Sequence, residues 1–371
     1  MKITLERAAL LKCLGHVQSV VEKRNTIPVL ANVLIRAEGE QASFSATDME
    51  IEVNEILACT VSKSGAVTAP AHTLYEIVRK LPDGAQVELH AGDNGQLILS
   101  AGRSQFKLGC LPVEDFPKMP DSDYRHSFAI GAEDLRILID STRFAISLEE
   151  TRYYLNGIYM HTTTADDVEV LRAVATDGHR LARLEMPAPE GSKGLNGIIV
   201  PRKTVGEVRK LVDEISSPVE IALSSSKVRF TFEGVVIASK LIDGTFPDYE
   251  RVIPDENEHM LMTDAKALAA AVDRVATIST EKSRAVKLSI SAGQVVLSAN
   301  APEAGSASEE LAVNYDGPEM EIGFNARYLL DILQQIKGDG VRFALADSSA
   351  PAIVQDTSDS TALYVLMPMR V

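Results

Sequence analysis

The sequence predicts an α+β protein made of three tandem copies of one helix-plus-antiparallel-sheet domain. Three observations carry that expectation. First, Ala46-Thr47-Asp48 recurs as Ala175-Thr176-Asp177, Val78-Arg79-Lys80-Leu81 as Val208-Arg209-Lys210-Leu211, and Phe116-Pro117 as Phe246-Pro247. All three matches fall at offsets of about 130, too long for a solenoid unit. Second, a fainter third copy is visible at Leu297-Ser298-Ala299-Asn300, and a third of the 371 residues is close to the same period. Third, polar, proline-containing stretches at Met119–His126 and Ile253–His259 supply boundaries, giving domains 1–124, 125–254 and 255–371.

Within the first copy, Glu6–Gln18 has helical spacing, with Leu10, Leu11, Leu14 and Val17 on one side. Strand-like runs follow at Val29–Arg36, Gln41–Thr47 and Glu50–Cys59. A second helix, His72–Lys80, precedes three strands whose apolar residues alternate: Val87/Leu89/Ala91, Leu97/Leu99/Ala101 and Phe106/Leu108/Cys110. Asn94-Gly95 and Gly102 supply the hairpin turns. The later copies repeat the pattern, with helices at Glu133–Arg143 and Arg202–Asp213, then at Asp264–Ala276 and Ala326–Lys337. Six helices and roughly two dozen strands result.

Composition is that of a globular chain, 45% hydrophobic and 24% charged. The three cysteines form no CxxC pair, and the histidines show neither HxH nor HExxH spacing, so neither a disulfide framework nor a metal site is expected, and no cofactor. No apolar run approaches the ~18–20 residues of a membrane span, and the amino terminus lacks a signal-peptide core, so a cytoplasmic setting is expected.

The net charge of −15 disfavours a polyanion partner for the molecule as a whole, but the charge is segregated. The six expected helices hold 14 Lys and Arg against 10 Asp and Glu, leaving 23 basic against 42 acidic residues elsewhere. One reading is a basic helical surface that faces phosphates; the other is that Lys and Arg collect in helices because they form them well. The chain has no C2H2 pattern, RRM signature or Walker loop, so DNA contact would be to phosphates and blind to sequence.

Asp177-Gly178-His179-Arg180 is the cluster that looks most like chemistry. A hydrolase using Asp177 and His179 is one reading, but no nucleophile accompanies them and the matching Asp48-Met49-Glu50 lacks the His and Arg. A hairpin turn is the simpler reading. Glu149-Glu150 reads as a solvated acidic loop. The carboxyl end, Ala362 to Val371, stays apolar, with Leu363, Val365 and Met367 facing inward in a closing strand. An apolar terminus implies a tail tied into a surface pocket, and methionines suit varied ligands.

Several segments taken together resemble the bacterial sliding clamps, the β subunits of DNA polymerase III. They are Met1-Lys2-Ile3-Thr4, Arg24-Asn25-Thr26-Ile27-Pro28, Arg152-Tyr153-Tyr154-Leu155-Asn156-Gly157, Ala175-Thr176-Asp177-Gly178-His179-Arg180-Leu181, Val200-Pro201-Arg202-Lys203, Phe246-Pro247-Asp248-Tyr249, Glu321-Ile322-Gly323-Phe324-Asn325 and Met367-Pro368-Met369-Arg370. The resemblance runs from Met1 to Val371. It implies a head-to-tail homodimeric ring with helices inside and sheets outside. It implies a non-catalytic processivity factor that encircles duplex DNA and tethers the replicative polymerase. The clamp loader and other proteins carrying clamp-binding peptides are the further partners it implies.

Carried over by position, the partner-peptide pocket comprises Leu155, Thr176, Gly178, His179, Arg180, Leu181, Pro247, Arg251, Val252, Asn325, Tyr328 and the tail Val365, Leu366, Met367, Pro368, Met369, Arg370 and Val371. DNA contacts fall to Arg24, Tyr153, Tyr154, Arg202 and Lys203, with His72 standing where an Arg is familiar and Glu149 where a Gln is. Ser283 replaces a familiar aromatic, and Ser349 and Pro351 differ on the pocket wall. The ring interface pairs the edge strand holding Phe106 and Leu108 with Thr277 and Ile278 of the other subunit. A scaffold that binds proteins and never DNA is the remaining reading.

Overall fold

A computed structural model describes residues 1–92, 94–120, 122–279 and 284–370; Ser283 and Val371 lie outside the described residues. It holds six α-helices, α1 (Arg7–Gln18), α2 (Ala71–Lys80), α3 (Ala132–Asp140), α4 (Arg202–Val212), α5 (Ala265–Ala276) and α6 (Ala326–Leu333), and 25 strands in four antiparallel sheets among the described residues. Three of the helices, α1, α5 and α6, begin at a capping side chain. Glu6 accepts from Ala9 N at 3.0 Å, Asp264 from Ala267 N at 2.7 Å, and Asn325 from the N–H groups of Arg327 and Tyr328. α1 buries Leu10, Cys13, Leu14 and Val17; Leu11 is only half-buried, so Cys13 takes the place expected for it.

One correction to the expected strands concerns Val29–Arg36. Pro28–Ala31 forms a 3-10 turn and the strand starts at Asn32, because Pro28 has a fixed φ and no N–H for a ladder.

By contacts, the chain forms two compact units. The first holds residues 1–136, 189–192 and 203–241. Its five-stranded sheet runs Thr60–Lys63, Lys2–Glu6, Gln86–Ala91, Gln96–Ala101, Ser104–Gly109, with Val87, Leu89, Leu97 and Leu99 fully buried on its inner face. Its eight-stranded sheet crosses from the second sequence copy into the first. There Val235–Lys240 lies beside Ile51–Ala58, with Ile237 opposite Val53.

That joint carries a polar clasp. His16 Nδ1 lies 2.7 Å from Glu55 Oε2 and its Nε2 3.0 Å from Glu214 Oε1, while Lys12 Nζ pairs with Glu214 at 2.7 Å. Burial alone would lower the His16 pKa, but the bonds to Glu55 and Glu214 outweigh it and the net direction is up. The imidazolium is therefore favoured on folding, and its stabilisation is full below the ordinary imidazole pKa and lost as pH rises through the raised one. His16→Gln is expected to cost on the order of 2 kcal/mol at pH 6 and distinctly less at pH 8.5, read from urea denaturation at the two pH values. An equal loss at both would contradict the protonated clasp.

The second unit holds residues 137–188, 193–202 and 242–371. Its eight-stranded sheet also spans two copies. The C-terminal strand Ala362–Leu366 lies beside Arg180–Pro187, with Tyr364 opposite Ala182 and Val365 opposite Leu181. The four-stranded sheet runs Gly305–Ala312, Gln294–Ala301, Ala285–Ser291, Met320–Asn325. Its first strand is an edge with exposed and half-buried residues alternating.

Candidate functional site

The site grows from a turn in the second unit. Between the strands Val168–Thr176 and Arg180–Pro187, Thr176 Oγ1 donates to the Arg180 carbonyl at 2.7 Å and accepts from Gly178 N at 3.1 Å. Asp177 Oδ1 accepts from the N–H groups of His179 (2.9 Å) and Arg180 (3.1 Å), and Oδ2 accepts from Arg180 Nε at 3.1 Å. The first copy builds the same turn, with Thr47 donating to Ile51 O and Asp48 Oδ1 accepting from Glu50 N and Ile51 N. Asp177 is thus spent on backbone geometry, while the His179 ring stacks on Tyr328 at 6.1 Å. The pair serves a turn and not acid–base chemistry.

Gly178 is required twice over. Its φ is +88°, and a Cβ there would lie 2.5 Å from Arg152 Nη1. Arg152 in turn is held by Glu149 through Nε at 2.8 Å and Nη2 at 2.7 Å, and donates to Asp177 O at 2.9 Å. Hydrogen bonding to Arg152 keeps the Glu149 carboxyl below its usual pKa.

Beside this turn opens a cleft of about 320 Å³. Nine residues expected from the resemblance line it: Leu155, Thr176, Gly178, Arg180, Leu181, Pro247, Val252, Val365 and Met367. Arg152, Tyr154, Asp248 and Tyr249 line it as well and were not expected, although all four stand inside segments already singled out. Its floor belongs to a packed cluster of Leu155, Val174, Leu181, Phe246, Tyr249 and Val365. The Arg180 side chain, 8% exposed, is fixed by Asp177, by Asp331 at 2.6 Å and by Phe144 O at 2.6 Å, and its guanidinium lies 4.3 Å from the Tyr328 ring centre. An apolar trough rimmed by a few oriented polar groups suits an extended peptide with bulky apolar side chains.

The other expected pocket residues lie outside this lining. Arg251 is exposed and pairs with Asp248 at 2.7 Å, Asn325 caps α6, and Leu366 is fully buried in the closing strand. Pro368, Met369 and Arg370 line a second, more polar cleft of about 650 Å³ with Glu321, Gly323, Ser348 and Ser349. The tail is tied down at alternate residues, Met367 N to His179 O at 2.9 Å and Met369 N to Gly323 O at 2.8 Å. Met367 is 40% exposed and faces the cleft, where an inward position was expected.

The residues expected to meet DNA divide sharply. In the first unit Arg24 is exposed, but Lys203 Nζ bonds Val20 O, Asp48 Oδ2 at 2.6 Å and Glu22, and His72 bridges Gln18 Oε1 (2.7 Å) and Val21 O (3.0 Å). Both are committed to the fold. In the second unit Arg202 and Tyr153 are exposed, Tyr154 leans edge-on against Tyr153, and Glu149 serves Arg152. The helices together hold twelve Lys and Arg against seven Asp and Glu, in a chain of net charge −15. Of the interface residues, Phe106 and Leu108 do lie on an edge strand. Thr277 and Ile278 do not: Thr277 is the C-cap of α5 and donates to Asp273 O, because the helix runs on to that point. They stand within a turn of Arg274, which pairs with Glu309 on the Gly305–Ala312 edge.

Models of the N-terminal, central and C-terminal domains of the DNA polymerase III β subunit match residues 1–120, 129–248 and 250–370. The chain belongs to the β sliding clamp family. It is 55% identical to the β sliding clamp of Caulobacter vibrioides over 372 residues and 38% identical to that of Escherichia coli K12 over 371, covering all of each. A crystal structure of the Caulobacter crescentus clamp superposes with a TM-score of 0.98 at 55% identity, covering 100% of this chain and 99% of that one. The Bartonella birtlesii clamp bound to griselimycin gives 0.97 at 50% identity, with both chains fully covered. A sliding clamp is a non-catalytic processivity subunit of DNA polymerase III, and this chain is one. Among the described residues no helix is long and apolar enough to cross a membrane, and no group of three or more metal-ligating side chains is assembled.

Proposed function

We propose that two copies of this clamp close head to tail around duplex DNA in the cytoplasm, each presenting the 320 Å³ cleft to peptides of the polymerase, the clamp loader and other replication proteins. The observation that carries the ring is the repeated joint. In the first joint the last strand of copy two, Val235–Lys240, lies beside Ile51–Ala58 of copy one. In the second, the last strand of copy three, Ala362–Leu366, lies beside Arg180–Pro187 of copy two. By the same rule the last strand of copy one, Ser104–Gly109, pairs with Gly305–Ala312 of copy three, and both are open edges. An open edge seeks a partner, and only a second chain turned head to tail supplies one at both ends.

The register follows too. Ile237 faces Val53 and Tyr364 faces Ala182, while Val53 and Ala182 pair with Ala46 and Ala175. Ala307 pairs with Ala299 in the third copy, and Phe106 pairs with Leu99 as Ile237 does with Phe230. Phe106 therefore meets Ala307 of the other chain, and on the same register Arg103 meets Glu310. Sedimentation across a dilution series is expected to give about 80 kDa, twice the 40.1 kDa chain. A persistent monomer would contradict the ring and favour a scaffold that never holds DNA.

The basic helices suit a duplex held without base readout, and the acidic remainder of the chain suits an exterior that repels it. Arg24→Ala and Arg202→Ala are each expected to reduce the salt slope of DNA affinity by about one, and Lys203→Ala by much less, since Asp48 and Glu22 already neutralise it. Griselimycin, which the Bartonella birtlesii clamp binds, is expected to enter the cleft, and Val252→Asp, at a residue 51% exposed, to abolish that binding in calorimetry while leaving the fold intact. Unchanged binding would put the ligand elsewhere.

A further inference from the structure

We propose that Arg172 is a positioning residue for the cleft, gripping the Tyr249–Val252 wall through a hydrogen-bond relay that ends on a neutral His161. The proposal rests on reading the cleft as the partner-peptide site. Neither Arg172 nor His161 lines the cleft, but Tyr249 does, and its ring is 6% exposed. The Tyr249 hydroxyl lies 3.2 Å from Arg172 Nη1 and 2.9 Å from His161 Nε2. A guanidinium can only donate, so the tyrosine oxygen accepts from Arg172. With the proton of a neutral His161 on Nδ1, facing Thr162 O 3.4 Å away, Nε2 is bare and accepts the tyrosine hydroxyl proton.

Arg172 is itself anchored. Its Nε donates to Glu185 Oε1 at 2.8 Å, an oxygen that also pairs with Arg183 Nη2 at 3.1 Å. A second branch reaches Glu250, the next residue along the wall, so one guanidinium grips the wall at two consecutive side chains. Behind them Tyr159 stacks on Phe246 at 4.7 Å and contacts the His161 ring at 5.0 Å, which closes the layer. The 3-10 segment Tyr249–Val252 has no side-chain cap hydrogen bond at its start, and this grip adds to the packing of the Tyr249 ring in holding the wall over the floor.

The charged and titratable groups facing His161 are Arg172, Glu185 and Glu250, with Tyr159 and Tyr249 against its ring. Burial lowers the His161 pKa and Arg172 lowers it further, against the Thr162 carbonyl and the two glutamates. Protonation would set an N–H donor against a hydroxyl that already donates there, breaking the relay. Peptide affinity should thus hold steady down through neutral pH and fall only below the ordinary imidazole range.

The test measures griselimycin affinity by calorimetry on the dimer. Arg172→Met and Tyr249→Phe are each expected to weaken binding about tenfold, and the double variant no further, because both break one relay. Arg172→Lys should recover part of the loss, and Tyr249→Phe should flatten the acid limb seen in the unaltered protein. Additive losses, or unchanged affinity in both single variants while Val252→Asp abolishes binding, would overturn the relay alone. Unchanged binding in Val252→Asp would overturn the cleft reading and the relay with it.

Discussion

Phe106→Asp should turn the ring into 40.1 kDa monomers. Phe106 is half-buried on the Ser104–Gly109 edge, so within one chain a carboxylate there remains partly solvated and the five-stranded sheet survives. In the ring proposed above the same position meets Ala307 of the partner edge. A carboxylate sealed at such a joint loses water without gaining a partner. Each ring contains two such joints. A loss of about 2 kcal/mol per joint, about 4 kcal/mol for the two together, raises the dissociation constant roughly a thousandfold. Light scattering against dilution reads this directly, with circular dichroism confirming the unchanged fold. The complementary variant pair Phe106→Cys and Ala307→Cys in one chain is expected to give a covalent dimer on mild oxidation, which checks the register and not merely the pairing.

Gly178→Ala is expected to leave a folded dimer that has lost most of its peptide binding. An alanine at φ +88° is strained, and its methyl would stand 2.5 Å from Arg152 Nη1. Arg152 must swing away, giving up its bond to Asp177 O and uncovering the cleft mouth it shares with Tyr154. The first copy tolerates Met49 at φ +78° in the same turn, so the turn itself survives a side chain. The damage at Gly178 therefore falls on Arg152. Griselimycin affinity should drop by on the order of tenfold or more, equivalent to about 1.4 kcal/mol per decade, with little change in dimer mass. If affinity stays unchanged, Arg152 has no part in the cleft.

Much of this was legible in the sequence, and for identifiable reasons. The Thr-Asp turn repeats because Thr47 and Thr176 close it with the same pair of bonds, so the repeat marked the site as well as the period. Alternation at Leu97/Leu99 and helical spacing at Leu10/Leu14 placed the core because burial follows those periods directly. Pairing between copies was not legible, since nothing local in Val235–Lys240 says that Ile51–Ala58 is its neighbour. The same holds for Lys203, whose Asp48 and Glu22 partners lie more than 150 residues away, and it read as a free cation. Tyr249 and Arg152 stood inside segments already noticed, but only the fold shows that their side chains turn into the cleft. Thr277 and Ile278 were expected to face the Phe106 and Leu108 edge of the other subunit, and the fold shows that Thr277 caps α5 there.

The central claim is that this protein holds DNA by enclosing it and only weakly by contact. The most direct test loads the labelled dimer onto a nicked circular duplex with the clamp loader, then cuts the circle once and follows the protein retained on DNA by gel filtration. Topological tethering predicts stable retention on the circle and rapid loss after linearisation, with Phe106→Asp retained on neither. Equal retention on circular and linear DNA would contradict it, because binding would then come from contacts that need no closed ring.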